Sequence, residues 1–263
     1  MKQIDAEILE IKPAAKDIFR LTLKAPGIAE AAAPGQFVMI RPVSALDPFL
    51  PRPFSLHDWS ENQGTVVILF RVVGKGTRIL AKSRHGQKLQ VVGPLGNGFD
   101  ITPAKNVCLV GGGIGTAPLL GLAKQLLKTD TKREIPVLLG GASGAELAPL
   151  AEYFDIPGLT VVLATDDGTL GHHGVVTDLM TNHLALSRDW LVFSCGPMAM
   201  LKAVSHLCRK NGWPCQVTLE TAMACGMGVC MGCAVKSAAD SGNKGYLHVC
   251  KDGPVFWESD VAW

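Results

Sequence analysis

The chain has 263 residues with 25 Lys+Arg against 23 Asp+Glu, a formal charge of +2, 48% hydrophobic residues and 18% charged residues. So even a balance excludes a nucleic-acid binder, which needs a clustered basic excess, and the large apolar fraction excludes a disordered chain. The length allows two domains or three small ones, and the 29 glycines exceed the roughly 7% of average usage, marking many places where backbone turns sharply or approaches a ligand.

The first seven residues, Met1-Lys2-Gln3-Ile4-Asp5-Ala6-Glu7, put acids where an export signal needs an apolar run. The longest apolar stretch, 107–123, is broken by Gly and Pro and falls short of the ~18 to 20 clean residues of a spanning helix. A cytoplasmic protein with no membrane partner is expected. In a reducing compartment its eight cysteines point to metal ligands, catalytic groups or buried small hydrophobes rather than disulfides.

Over residues 1–100, short apolar runs at 6–9, 18–23, 36–41, 65–72 and 89–92, separated by Pro and Gly, predict an antiparallel β-barrel or sandwich. From about Lys105 the period changes. Strand-like runs at 107–110, 135–139, 160–164 and 190–194 alternate with helical spacing at 118–128, 146–153, 175–182 and 198–210. That alternation over residues 101–215 predicts a parallel sheet with helices on both faces. Residues 216–263 hold four of the cysteines and little regular pattern, as in a small domain organised by metal.

The sharpest motif is Cys225, Cys230 and Cys233, followed after sixteen intervening residues by Cys250. C-x4-C-x2-C followed by a distant cysteine is the loop spacing of plant-type two-iron two-sulfur centres. Gly226, Gly228 and Gly232 allow the backbone to turn N–H groups toward the sulfurs of a negatively charged cluster. The alternative is structural zinc, which usually pairs two short knuckles, whereas here the fourth cysteine stands alone. Cys108, Cys208 and Cys215 lack such spacing and read as buried hydrophobes.

Arg52-Pro53-Phe54-Ser55 between two barrel strands is either a proline-stiffened strand start or a guanidinium and hydroxyl for phosphate, beside backbone that can bond a flavin edge. Gly74, Gly76 and Thr77 open a helix where orphan N–H groups suit a pyrophosphate. Gly111-Gly112-Gly113-Ile114-Gly115-Thr116-Ala117-Pro118 joins a strand to a helix but fits G-x-G-x-x-G in neither register. The ribose-binding acid expected after the second strand is also missing, since that strand ends Gly140-Gly141-Ala142-Ser143. Cys195-Gly196-Pro197 follows a parallel strand at its carboxyl end, where such sheets bind ligands, although a lone Cys there can equally be inert core.

Taken in order, R-P-x-S, G-x-G-T, G-G-G-x-G-x-x-P, C-G-P and C-x4-C-x2-C resemble the ferredoxin reductase superfamily. The short cysteine-rich terminus, and most specifically the stretch from Leu219 and Glu220 to Cys233, is similar to the electron-transfer subunits of NAD-linked, class B dihydroorotate dehydrogenases. The resemblance spans essentially the whole chain. It implies an FAD-binding β-barrel (1–100), an NAD-binding α/β domain (101–215) and a [2Fe-2S] domain (216–263). It implies FAD contacts from Arg52, Pro53, Phe54, Ser55, Leu69, Phe70, Arg71, Gly76 and Thr77, and NAD contacts from Gly113, Gly115, Cys195 and Gly196. The cluster ligands it implies are Cys225, Cys230, Cys233 and Cys250. Segments 165–168 and 171–175 resemble the family's nicotinamide-domain loop, without a contact for Asp166 or Asp167. No Arg follows Gly-Ala-Ser, as it commonly does in NADP-dependent members, which favours NAD.

By the same resemblance electrons run from dihydroorotate to FMN on a partner subunit, then to the cluster, to FAD and to NAD+, in a heterotetramer of two chains each. Only a flavin exchanges the pair carried by nicotinamide for the single electrons of a cluster. A dihydroorotate-oxidising barrel takes roughly 250 residues, and every segment here is already allotted, so the chain has no site for that substrate. Two other readings stay open: an NAD(P)H-linked reductase subunit of a hydrogenase or ferredoxin system, and a non-catalytic zinc-dependent binding module. The tail 255–263, with two Trp and a Phe, suits either an interface core or packing of a terminal strand.

Overall fold

Apolar residues of the N-terminal strands turn into a shared interior and close them into a barrel, with the strands Phe37–Arg41 and Thr65–Arg71 buried along nearly their whole length. The computed structural model describes residues 1–43, 45–102, 106–130, 133–184, 189–239, 242 and 245–263; Lys105, near which the sequence turns to α/β alternation, lies outside them. Strands β1 (Lys2–Ala15), β2 (Ile18–Lys24), β3 (Phe37–Arg41), β4 (Arg52–Ser60), β5 (Thr65–Arg71) and β6 (Lys88–Leu95) pair antiparallel in the order β1-β2-β5-β4-β3-β6, and β6 returns to β1. Ile8, Leu21, Leu23, Val38, Ile40, Leu56, Val66, Ile68 and Val91 fill the interior. Helix α1 (Pro26–Ala29) adds Ile28 and Ala29 to this core, and α2 (Lys75–Leu80) follows β5.

Arg52–Ser55 is not a connection between strands but the first half of β4. It pairs with β3 alone, Arg52 opposite Ile40 and Ser55 opposite Phe37, and pairing with β5 begins only at Leu56. A proline is tolerated there because one side of the strand carries no ladder. Across the gap, Leu69 to Arg71 of β5 pair with β2 alone. The two strands therefore part at one end of the barrel, and their facing backbone edges stay open.

The second layer is a sheet in the order β10-β9-β8-β7-β11-β12-β15. Strands β7 (Asn106–Gly112), β8 (Ile135–Gly141), β9 (Leu159–Thr165), β10 (His172–His173), β11 (Trp190–Cys195) and β12 (Cys215–Thr218) run parallel. They alternate with α3 (Ala117–Thr129), α4 (Gly144–Ala151), α5 (Val176–His183) and α6 (Met198–Asn211). Strand order reverses at β7, so the turns after β7 and β11 flank a topological switch point, where such sheets bind ligands. Cys108 of β7, Cys208 of α6 and Cys215 of β12 are buried together as small hydrophobes between sheet and helix.

After β12 the chain leaves the sheet, forms the ladder of β13 (Ala234–Lys236) with β14 (Tyr246–His248), and returns as β15 (Val255–Trp257) antiparallel to β12. The boundary at 216 thus falls within β12, and the cysteine-rich lobe is an excursion from the sheet's edge. It shares one apolar cluster with both other layers: Leu247 and Val249 pack with Phe37 and Met39 of the barrel and Val217 of the sheet. The tail is packed as well. Phe256 and Val261 are buried, and Trp263 Nε1 donates to the Glu258 carbonyl at 2.8 Å. No helix among the described residues is long and apolar enough to cross a membrane.

Helix α3 fastens the barrel to the sheet. Gly121 lets the helix approach β4, since a Cβ there would lie 2.5 Å from the Trp59 ring. Lys124 pairs with Asp58 beside it. His57, 1% exposed, donates from Nδ1 to the Ala117 carbonyl at 2.8 Å and packs edge-on against Tyr153. Burial holds its pKa down at about 4, from an ordinary 6.5. Between those values the unfolded chain binds the extra proton, so stability falls as pH drops through that window, by about 2 kcal/mol at pH 5. Urea unfolding of wild type and His57→Gln at pH 7.5 and 5 should show their stability difference narrowing by that amount; an unchanged difference would refute a buried neutral imidazole.

Candidate functional site

Where β4 and β5 part, a cavity of about 340 Å³ opens, lined by Arg52 to Ser55, Leu69 to Arg71, Val73, Thr77, Ile114 and, from the far side, Leu219 to Thr221 and Met223. Open backbone edges on two strands offer hydrogen-bonding groups that must find partners outside the ladder. Arg52 and Arg71 are among the lining residues, Arg52 bonded to the Leu50 carbonyl and Arg71 paired with Glu146. Gly76 does not line the cavity; it makes room for Arg52, because a Cβ there would lie 2.8 Å from the Arg52 Nε. Thr77 Oγ1 accepts the N–H groups of Val73 and Gly74 at 3.0 and 3.1 Å, so its hydroxyl shapes the turn before α2. Apolar walls, exposed strand edges and fixed cations fit a flavin ring with a phosphate tail.

A larger cavity, about 650 Å³, lies at the switch point of the sheet and includes Gly113, Gly115, Gly140, Glu146, Asp166, Val175, Gly196 and Met200. Gly113 takes a left-handed φ of 53° beside the ion pair of Arg71 with Glu146, which bridges barrel and α4. Gly115 rests on the end of β11, where a Cβ would meet the Cys195 carbonyl at 2.6 Å. The Cys195 side chain is buried and is not among the lining residues; burial pushes its thiol up to about 12. Its position at a strand end therefore serves packing, and the cavity floor there is Gly196. Of the two aspartates left without a contact by the sequence, Asp166 lines the cavity, while Asp167 accepts from the Thr169 hydroxyl at 2.7 Å and N–H at 3.0 Å, which hold its carboxyl below the usual range.

The two cavities share Arg71, Ile114 and Glu220. The Glu220 side chain is exposed to the space where they meet, and partial desolvation there raises the pKa of its carboxyl. Sequence pattern assigns no role to Glu220; its signal is its place two residues past a short buried strand, at the carboxyl end of a parallel sheet.

Two residues past Met223 the cysteine loop begins. Positive φ at Gly226 (72°), Gly228 (80°) and Met231 (60°) curls it. Gly226 sits against the barrel, a Cβ there falling 2.5 Å from Met39 Cγ. The thiols form two pairs: Cys233 Sγ lies 3.3 Å from Cys250 Sγ, and Cys230 N–H points at Cys225 Sγ at 3.5 Å. Met227 N–H faces Cys225 Sγ at 3.4 Å and Gly228 N–H faces Cys250 Sγ at 3.1 Å. Burial acts to raise the Cys225 thiol, but N–H groups of Cys230, Met227 and Val229 outweigh it and leave it at about 6. Among the described residues no three ligating side chains converge on a single ion. Two thiolates to each of two irons, with N–H groups aimed at sulfur, is the donor set a two-iron cluster takes.

Residues 220–262 match the iron–sulfur cluster binding domain of dihydroorotate dehydrogenase B, and residues 109–206 match the oxidoreductase NAD-binding domain. Over the full length the chain is 38% identical to the dihydroorotate dehydrogenase B (NAD(+)) electron transfer subunit of Desulforamulus reducens, covering 100% of this chain and 99% of that protein. The chain belongs to this family. The electron transfer subunit of Geobacillus thermodenitrificans is 40% identical over 94% of each chain. Among solved structures, a chain of an NADH-dependent reduced ferredoxin–NADP oxidoreductase superposes with a TM-score of 0.87 at 32% identity, covering 99% of this chain and 90% of that one. FAD, an iron–sulfur cluster and NAD(H) are thus the redox groups of this family member. The zinc-module reading does not survive, because the matched terminal domain is an iron–sulfur one.

Replacing Cys230, an exposed member of the set, by Ser should remove iron and the cluster's visible absorbance while FAD stays bound, since the thiol lies outside the flavin cavity. Iron analysis and the visible spectrum of the purified variant check this; full iron content would contradict the ligand set.

Proposed function

We propose that the chain takes electrons from an FMN-bearing dihydroorotate dehydrogenase subunit and delivers them to NAD+, serving pyrimidine biosynthesis in the cytoplasm as half of a two-plus-two heterotetramer. The observation that carries this reading is spatial order. One cavity opens onto the other at Glu220, and Met223 of the flavin cavity stands two residues from Cys225, a Cα separation of at most roughly 8 Å. When bound, FAD exchanges the electron pair of NADH for single electrons and the cluster relays those.

The chain's own residues prepare that exchange. Open edges of β4 and β5 orient the flavin site, Arg52 supplies positive charge, Arg71 is held by its ion pair with Glu146, and Glu220 stands at the junction of the two cavities. Met227, Val229 and Met231 around the exposed Cys230 are themselves exposed, an apolar rim at the lobe that a partner subunit would cover. The likeness to a chain of a ferredoxin–NADP oxidoreductase favours one second reading, in which the same three centres serve a different partner. Co-expression with an FMN-bearing dihydroorotate dehydrogenase subunit separates the two. Stable association and dihydroorotate-dependent NAD+ reduction support the first reading; absence of association, with NADH-driven dye reduction intact, supports the second.

NAD selection has a residue. Asp166 closes β9 at the rim of the nucleotide cavity, one strand beyond the β8 end that lacks an acid, and repels a 2′-phosphate there. Asp166→Asn should narrow the preference for ADP-ribose over its 2′-phosphate about tenfold in equilibrium binding to the flavin-loaded chain, with Asp167→Asn unchanged. Equal effects of the two substitutions would overturn this assignment.

A further inference from the structure

Thr221 stands in the wall of the flavin cavity, between Glu220 at the junction and Met223 ahead of the cysteine loop. Its Oγ1 is buried and has no hydrogen-bond partner in the protein. Among the described residues it is the one member of this wall whose buried side-chain polar atom is left so. Buried hydroxyls are nearly always paired, and an unpaired one is costly. A valine would fill the same volume without that penalty, so a ligand filling the cavity gains by offering this hydroxyl a polar atom, reached by a turn about Cα–Cβ.

The surroundings narrow what that can be. Leu219, Met223, Phe37 and Pro254 make this end of the cavity apolar, while both arginines stand with the opened strands. The segment itself is fixed, since Leu219 N–H donates to the Pro254 carbonyl at 2.9 Å. A flat, largely apolar ligand with heteroatoms along one edge suits that environment, and the isoalloxazine ring carries such an edge of nitrogens and carbonyls. We propose that the Thr221 hydroxyl hydrogen-bonds the isoalloxazine of bound FAD and tunes its potential from the segment that leads to the cluster. The proposal rests on the assignment of this cavity to FAD.

The positioning role is tested in the complex as expressed, with Thr221→Val, Thr221→Ala and Thr221→Ser beside wild type. FAD content of the wild type comes first: a flavin-free wild type would defeat the cavity assignment and the proposal with it. With FAD present, Val and Ala should each weaken flavin retention about two- to tenfold. Both should also shift the flavin midpoint potential and visible band positions, read by spectroelectrochemistry. Ser, which keeps the hydroxyl, should restore all three. Unchanged retention, potential and spectrum in the Val variant would overturn the hydrogen bond while leaving the cavity assignment standing. A shift that Ser fails to reverse would overturn it too, by showing that volume rather than the hydroxyl matters.

Discussion

The parting of β4 from β5 is the constraint on which the rest of the molecule depends. A closed barrel satisfies its backbone by pairing every strand on both sides, yet Arg52–Ser55 and Leu69 to Arg71 each pair on one side only. Backbone groups left out of a ladder need other partners. The place where they lie open is also where the sheet's switch point abuts the barrel, so one gap in one ladder creates a ligand edge and aims it at a second cavity. Helix α3 keeps that aim: Gly121 against Trp59, His57 on the Ala117 carbonyl and Lys124 on Asp58 all fix the sheet to the strand that opens.

The cysteine lobe solves a different problem with the same economy of core. An excursion of this size buries too little apolar surface to stand alone. It leaves the sheet after β12, returns to it as β15, and packs Leu247 and Val249 into a cluster that already contains Phe37 and Met39. Since Gly226 rests on Met39 and Phe37 lines the flavin cavity, the contacts that stabilise the lobe also bring the cysteine loop close to that cavity. Stability and electron-transfer distance are therefore set by the same side chains.

Much of this was legible in the sequence because the relevant signals are local. Cysteine spacing marks a cluster loop, strand length and punctuation mark the barrel, and the switch from period 2 to helical spacing marks the sheet. What escaped depends on three-dimensional neighbours. Gly76 reads as a ligand contact from its motif, yet it makes room for Arg52, while Gly115 lines the nucleotide cavity and also leaves room for the end of β11. Cys195 sits at a strand's carboxyl end as pattern requires, but its side chain is buried in the core and does not line the cavity. Asp166 and Asp167 are indistinguishable in sequence; only the Thr169 bonds to one of them separate their roles. Glu220 and Thr221 carry no motif of their own and gain meaning only from the cavities they border.

The central claim is that the nucleotide cavity meets the flavin cavity and that the cluster lies beyond it, in that order. Rapid mixing of the fully loaded chain with NADH under anaerobic conditions tests it most directly, with flavin and cluster bands followed separately. The account predicts that flavin bleaching comes first and that cluster reduction follows it with a lag. Cluster reduction that starts without a lag, or ahead of the flavin, would contradict it.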